Sequence, residues 1–217
     1  MISKTPTAAN PLSTLVLASG NQGKLKELQA HFDTANLGLT LKLQSEFGLD
    51  SADETACTFI ENALLKARHA SKQTGLPALS DDSGLSVPAL NGAPGIYSAR
   101  YAGEGASDAE NNQKLIEAIT PLLATGKVAA QFVCVLTLVR YPDDPLPIIA
   151  QGLWHGTLTN QAAGSGGFGY DPLFIPDGLT ITSSELPREH KAQISHRALA
   201  LKALCAQLSG SSGFSEI

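Results

Sequence analysis

The sequence predicts an α/β or mixed α+β fold. Strand-like and helix-like segments alternate along the chain, without repeats or low-complexity runs. Its 217 residues are 43% hydrophobic, enough to bury one substantial core or two small lobes. Two apolar runs, 129–140 and 148–158, are long enough to form an extended hairpin.

The elements follow in order. Residues 15–18 form a buried strand, 24–32 a helix, and 39–43 a second strand with Leu39, Leu41 and Leu43 at alternate positions. The longest helix is expected over 53–74. It has an acidic start, abundant Ala, Leu and Lys, and a stop at Gly75 before Pro77. Residues 77–80 read as a short strand feeding a turn at Asp81-Asp82-Ser83-Gly84, with a returning strand from 85 to 87.

The Gly-, Pro- and Tyr-rich stretch 91–105 is longer than a plain connection, and its Tyr97, Arg100 and Tyr101 are contact-making residue types. A helix over 107–119 is capped by Ser107, the long hairpin turns around Pro142 and Pro145, and a last helix covers 195–208. The domain reading is a flexible extension at 1–13, one domain at 14–208 and a polar, mobile tail at 209–217.

Composition excludes several classes. A formal charge of −5 argues against a broad nucleic-acid surface, whose footprint is basic. Any phosphate ligand therefore needs a local positive pocket. No run is long enough to span a bilayer and the N-terminus lacks a signal-type apolar core, so no membrane partner is expected. Cys57, Cys134 and Cys205 are far apart and odd in number, which fits reduced thiols in the cytoplasm.

The chemistry concentrates in a few turns. Asp81 and Asp82 are hard oxygen ligands of the kind Mg²⁺ takes, one or two at a time, alongside water and substrate phosphates. Read alone, Asp-Asp-Ser-Gly is more often a solvated turn. Ser19-Gly20-Asn21-Gln22-Gly23-Lys24 joins a strand to a helix and offers backbone N–H groups, a positive helix end and a lysine to an anion. Its spacing is not that of a P-loop.

The glycines at 164–169 match a dinucleotide-binding spacing, but Tyr170-Asp171-Pro172 follows where a helix should begin. A close turn carrying Phe168 and Tyr170 beside a flat ligand fits better, against the plainer reading of a tight turn whose aromatics fill the core. Ser195-His196-Arg197, shortly after Lys191, gathers donors at a helix start. Base end, phosphate end and metal between them suggest a nucleotide.

Six ordered motifs carry a family resemblance. They are Thr58-Phe59-Ile60-Glu61-Asn62-Ala63, Lys66-Ala67-Arg68, Asp81-Asp82-Ser83-Gly84-Leu85, Gly92 through Tyr101, Gly166 through Pro172, and Ile194-Ser195-His196-Arg197. From about residue 15 to 208 the chain resembles the inosine/xanthosine triphosphate pyrophosphatase family. The resemblance implies a homodimeric cytoplasmic enzyme that uses Mg²⁺ to hydrolyse ITP, dITP and XTP to monophosphate and pyrophosphate. It also implies an elongated central mixed sheet flanked by helices, with two lobes and a substrate cleft between them.

By position, Asp82 matches the general base and metal residue, and the pair Asp53-Glu54 supplies a further metal carboxylate, with the choice between them open. Asp81 is a second ligand or supporting charge. Ser19, Asn21 and Lys24 match the phosphate loop, which also holds Gly20, Gln22 and Gly23, and Lys66 matches a phosphate-binding lysine acting with Asp82 in catalysis. Ser83 adjoins the substrate, while Phe168, Gly169, Tyr170, Asp171, Lys191, His196 and Arg197 match the base pocket.

Overall fold

A computed structural model describes residues 13–210, and the expected extension and tail lie largely outside them. Ser13 is already tied to the sheet, its carbonyl accepting from the N–H of Thr40 at 2.8 Å. Six strands form one mixed sheet: β1 (Thr14–Leu17), β2 (Thr40–Leu43), β3 (Ala78–Ser86), β4 (Val128–Val139), β5 (Ile148–Leu158) and β6 (Phe174–Pro176). Their spatial order is β2-β1-β3-β4-β5-β6. β1 pairs in parallel with β2 and β3, and the remaining neighbours are antiparallel.

Among the described residues the α-helices are α1 (Gln22–Thr34), α2 (Phe59–Thr74), α3 (Asp108–Leu123), α4 (Arg188–Ile194) and α5 (His196–Gly210), on which α4 packs. Two main core clusters share the long β4–β5 hairpin. One gathers Leu15, Leu17, Leu28, Phe32 and Leu136 with Leu201 and Leu204 of α5. The other gathers Phe132, Trp154 and Phe174 with Leu115 and Ile119 of α3. Both lie on one face of the sheet, and α2 packs on the opposite face through Ala63, Ala67 and Ala70.

Several expectations are corrected. The helix expected from 53 begins only at Phe59. Thr58 is its N-cap, accepting from the N–H of Glu61, so Asp53 and Glu54 lie in irregular chain ahead of it. α2 also shares its 16-residue length with α3, which runs on through Pro121. The expected turn at Asp81–Gly84 is absent: β3 runs straight through it, each residue from Ala78 to Ser86 opposed by one on β4. Nine cross-strand pairs outweigh the turn preferences of Asp, Ser and Gly.

Gly84 has a packing reason to be glycine, since a Cβ there would lie 2.5 Å from the Gly95 carbonyl and from Ser98 Oγ. The stretch 91–105 is ordered by a short 3-10 helix at Gly95–Arg100. α4 was not expected, and α5 continues to Gly210, past the end expected at 208.

Candidate functional site

The chain leaves β1 through the glycine-bearing turn and enters α1. Asn21 caps the helix, its Oδ1 accepting from the N–H groups of Gly23 (2.8 Å) and Lys24 (3.1 Å). Ser19 Oγ accepts in turn from the Asn21 N–H at 3.1 Å. Asn21 thus occupies the first amides of α1, and the cationic contribution of the turn is Lys24. Its Nζ donates to both Asp81 carboxylate oxygens, at 2.7 and 2.9 Å. Gly20 and Gln22 are exposed at the mouth of the turn.

Successive residues of a strand face opposite sides of the sheet. Asp81 therefore faces α1 and α5, and Asp82 faces α2. On the α2 side, Lys66 Nζ donates to Asp82 Oδ1 at 3.0 Å and to Glu54 Oε1 at 2.7 Å. Arg100 reaches the other Glu54 oxygen at 3.7 Å. On the α5 side, Arg197 donates to Glu27 at 3.3 Å and lies 3.9 Å from Asp81. Asp82 Oδ2 is buried and has no partner among the described residues.

The two neighbouring aspartates differ electrostatically. Burial works against ionising either, and for Asp82 it prevails over the pull of Lys66, with Glu54 and Asp81 adding to it. The Asp82 pKa is therefore raised. For Asp81, the cations Lys24 and Arg197 outweigh the burial and hold its carboxyl below the ordinary range. Burial would lower the Lys66 pKa, but Asp82 and Glu54 outweigh it and hold the ammonium above its usual value. One aspartate is a fixed anion among cations; the other is poised to take a proton.

The far end of the site is built on the 166–170 turn. Phe168 is 56% exposed, with Lys191 Nζ 5.2 Å and the Arg197 guanidinium 5.7 Å from its ring centre. Lys191 pairs with Asp171, which accepts from the Phe168 N–H at 2.8 Å and from Ser183 Oγ at 2.6 Å. The two aromatics of this turn have separate roles. Phe168 forms a shelf, whereas Tyr170 is buried and donates its hydroxyl to the Ser98 carbonyl at 2.8 Å. A cleft of about 910 Å³ joins this shelf to Asn21 and Lys24, with His196 and Arg197 in its wall.

His196 is stacked on Phe132 at 4.9 Å and on Trp154 at 6.4 Å. Burial, reinforced by Arg197 and Lys191 and opposed by Asp81, lowers its pKa to about 3. The imidazole is neutral in the folded protein and charges on unfolding between pH 6.5 and 3. The unfolded chain binds the extra proton in that window, so this contribution to stability is complete above pH 6.5 and is lost as pH falls. His196→Gln is expected to flatten the stability–pH slope there by up to about 1.4 kcal/mol per pH unit. Denaturant titrations at several pH values check this, and parallel slopes for the two proteins would show that His196 does not carry it.

Most of the residues expected from sequence converge here. Ser19, Asn21, Gly23, Lys24, Asp81, Phe168, Asp171, Lys191, His196 and Arg197 gather around the cleft, with Asp82, Lys66 and Glu54 across β3. Ser83 shares the face of Asp81, its Oγ 3.5 Å from Oδ2. Asp53 is exposed, and it is Glu54 that meets Asp82 through Lys66. Among the described residues no three His, Cys, Asp or Glu side chains are grouped as for a metal ion; Asp81 and Asp82 face opposite sides of the sheet. Sequence reading missed Glu27 and Ser183, which orient Arg197 and Asp171 from distant segments; nothing local marks them.

A sequence profile of the Ham1 family matches residues 15–207. A protein named dITP/XTP pyrophosphatase from Salmonella paratyphi A is 53% identical over 193 residues, 89% of this chain and 96% of the relative. One of the same name from Yersinia pseudotuberculosis is 53% identical over 191 residues, 88% of this chain and 95% of the relative. Among solved structures, a HAM1 protein from Coxiella burnetii superposes with a TM-score of 0.87 at 45% identity, covering 91% of this chain and 99% of its own.

Proposed function

This chain belongs to the Ham1 family, and on that premise we propose that it hydrolyses noncanonical purine nucleoside triphosphates, ITP, dITP and XTP, to monophosphate and pyrophosphate. The reaction removes these nucleotides before they enter DNA or RNA. The observation that carries the reading is one cleft that joins an aromatic shelf and buried donors to a lysine-bearing turn, with Asp82, a carboxylate of raised pKa, on the other face of the adjoining strand.

Water attacks the α-phosphorus, the bond from that phosphorus to the α–β bridging oxygen breaks, and the proton of the water passes to Asp82. A carboxylate with a raised pKa is suited to receive it. The charge that develops on pyrophosphate is met by Lys24 and Lys66, since phosphoryl transfer is governed by positioning and electrostatics. Both lysines are held by carboxylates, which keeps them ordered and aimed.

Mg²⁺ fits the acidic residues. Asp82 Oδ2 is buried without a partner, Glu54 shares Lys66 with Asp82, and two carboxylates are what this ion usually takes from a protein, leaving positions for water and phosphate. Glu54 and Asp82 would hold it, Asp81 supporting the charge from the other face. When bound, the ion supplies charge neutralisation at the phosphates and lowers the pKa of water.

At the base end, Arg197 Nε and His196 Nδ1 are buried without partners among the described residues. A purine 6-keto oxygen can accept a hydrogen bond there, and the amino group of adenine cannot. Arg197→Ala is expected to raise KM for ITP roughly ten- to hundredfold with a smaller effect on kcat. An unchanged ratio of ITP to ATP turnover would remove Arg197 from base reading.

We further propose a homodimer in the cytoplasm. The outer face of β5 leaves Ile149 and Leu153 exposed, and Leu153 lies opposite Val133, which packs against the start of α2. The three cysteines are free, as in a reducing compartment. Among the described residues no helix is long and apolar enough to cross a membrane.

The central test is pyrophosphate release from ITP, XTP, GTP and ATP, with Mg²⁺ and with excess EDTA. Metal-dependent pyrophosphate from ITP and XTP, with little from ATP or GTP, supports the reading. Tight ITP binding without turnover would make the chain a nucleotide-sensing module instead.

A further inference from the structure

Phe168 must present its ring to the cleft from a turn that has no regular secondary structure of its own. Its own N–H is held by Asp171, but the next peptide is held from elsewhere. Gly169 stands at φ +58°, and α3 satisfies both of its backbone groups. The Gly169 N–H donates to Asp108 Oδ2 at 2.7 Å, and the Gly169 carbonyl accepts from Asn112 Nδ2 at 2.9 Å. Asp108 and Asn112 are four residues apart and so lie on one face of the helix. Asn112 Oδ1 is itself buried without a partner among the described residues, so its amide is held there at a cost.

We propose that Asp108 and Asn112 are positioning residues that clamp Gly169 and thereby fix the Phe168 shelf against which the purine stacks. The inference rests on the base-shelf reading of Phe168 above. The two side chains grip a peptide in the left-handed conformation, where the backbone is least able to define itself, and α3 is fixed in turn by Leu115 and Ile119 in the core. Its capping box at Ser107 and Glu110 sets the helix start next to Asp108. Neither side chain lines the cleft, so both act through the turn.

The test is kinetic. Asn112→Ala and Asp108→Ala are each expected to raise KM for ITP roughly three- to tenfold while kcat changes less than twofold. Asp108→Asn keeps an acceptor for the Gly169 N–H and is expected to restore KM to near the parent value. Phe168→Ala is measured alongside, alone and combined with Asn112→Ala. If the clamp works through the ring, Asn112→Ala has little further effect once Phe168 is gone. If Phe168→Ala raises KM but the clamp variants do not, or the double variant is additive, the clamp is overturned and the shelf stands. If Phe168→Ala leaves KM unchanged, the shelf reading fails and the clamp with it.

Discussion

Asp82→Asn is expected to lower kcat for ITP and XTP by about 10²- to 10⁴-fold, the usual worth of a general base, while the protein stays folded and still binds nucleotide. The substitution keeps the shape of the side chain and removes the group that receives the proton. It also has a predictable effect on stability. The folded-state pKa of Asp82 is raised, so above it the ionised carboxylate costs the native state more than the unfolded chain. Neutral Asn removes that cost, and Lys66 keeps Glu54 as a partner. Thermal unfolding should therefore give an unchanged or higher Tm alongside the lost turnover, the pattern of a site that gives up stability for function. Near-normal kcat would take Asp82 out of the role, and a lower Tm would make the residue structural.

The second large effect is at a position with no chemistry. Gly152 sits in β5 opposite Cys134, where α5 crosses the sheet. A Cβ there would press into the His196 carbonyl and stand 2.5 Å from the Ala200 N–H nitrogen. Both are backbone atoms, so no side chain can swing aside. Gly152→Ala should cost about 3 kcal/mol, the upper end of overpacking, or roughly 6–12 °C in Tm for a chain of this size. Because the displaced helix carries His196 and Arg197, KM for ITP should rise in the protein that remains folded. A Tm within about 1 °C of the parent would mean that α5 has slack at this crossing.

What could be read from sequence follows from where each signal lies. The span of β5 was legible to the residue, because a proline precedes its start and alternation runs to Leu158. The start of α3 was legible because its cap is local, Ser107 bonding to the amide three residues on, whereas α1, expected over 24–32, runs from 22 to 34 behind an Asn21 cap that was not read as one. The start of α2 was misplaced because Asp53 and Glu54 imitate an acidic first turn. The true signal was Thr58 with Glu61 three residues later.

β3 was cut in two because its turn-forming residues are held extended by β4, whose residues begin more than forty positions further along. The site divides in the same way. The identities of Lys24, Lys66, Asp81, Asp82 and Arg197 could be read, but their pairing could not. Lys24 meets Asp81 across 57 residues of sequence and Arg197 meets Glu27 across 170. Such partners are decided by the sheet order.

The alternation along β3 sets a limit on how this chain can change length. One residue inserted just before Asp81 would move Asp81 into the place of Asp82, facing Lys66, and move Asp82 into the place of Ser83, on the Lys24 face but about 6.6 Å beyond the old Asp81 position, so the anion that Lys24 holds would be lost. A two-residue insertion would restore the orientations but carry both groups about 6.6 Å along the strand, out of reach of their lysines. The segment is pinned against either slip, by the Ser80 hydroxyl on the Ala63 carbonyl at one end and by bare Gly84 against Ser98 at the other. Between Ser80 and Gly84 the count of residues is itself part of the proposed active site.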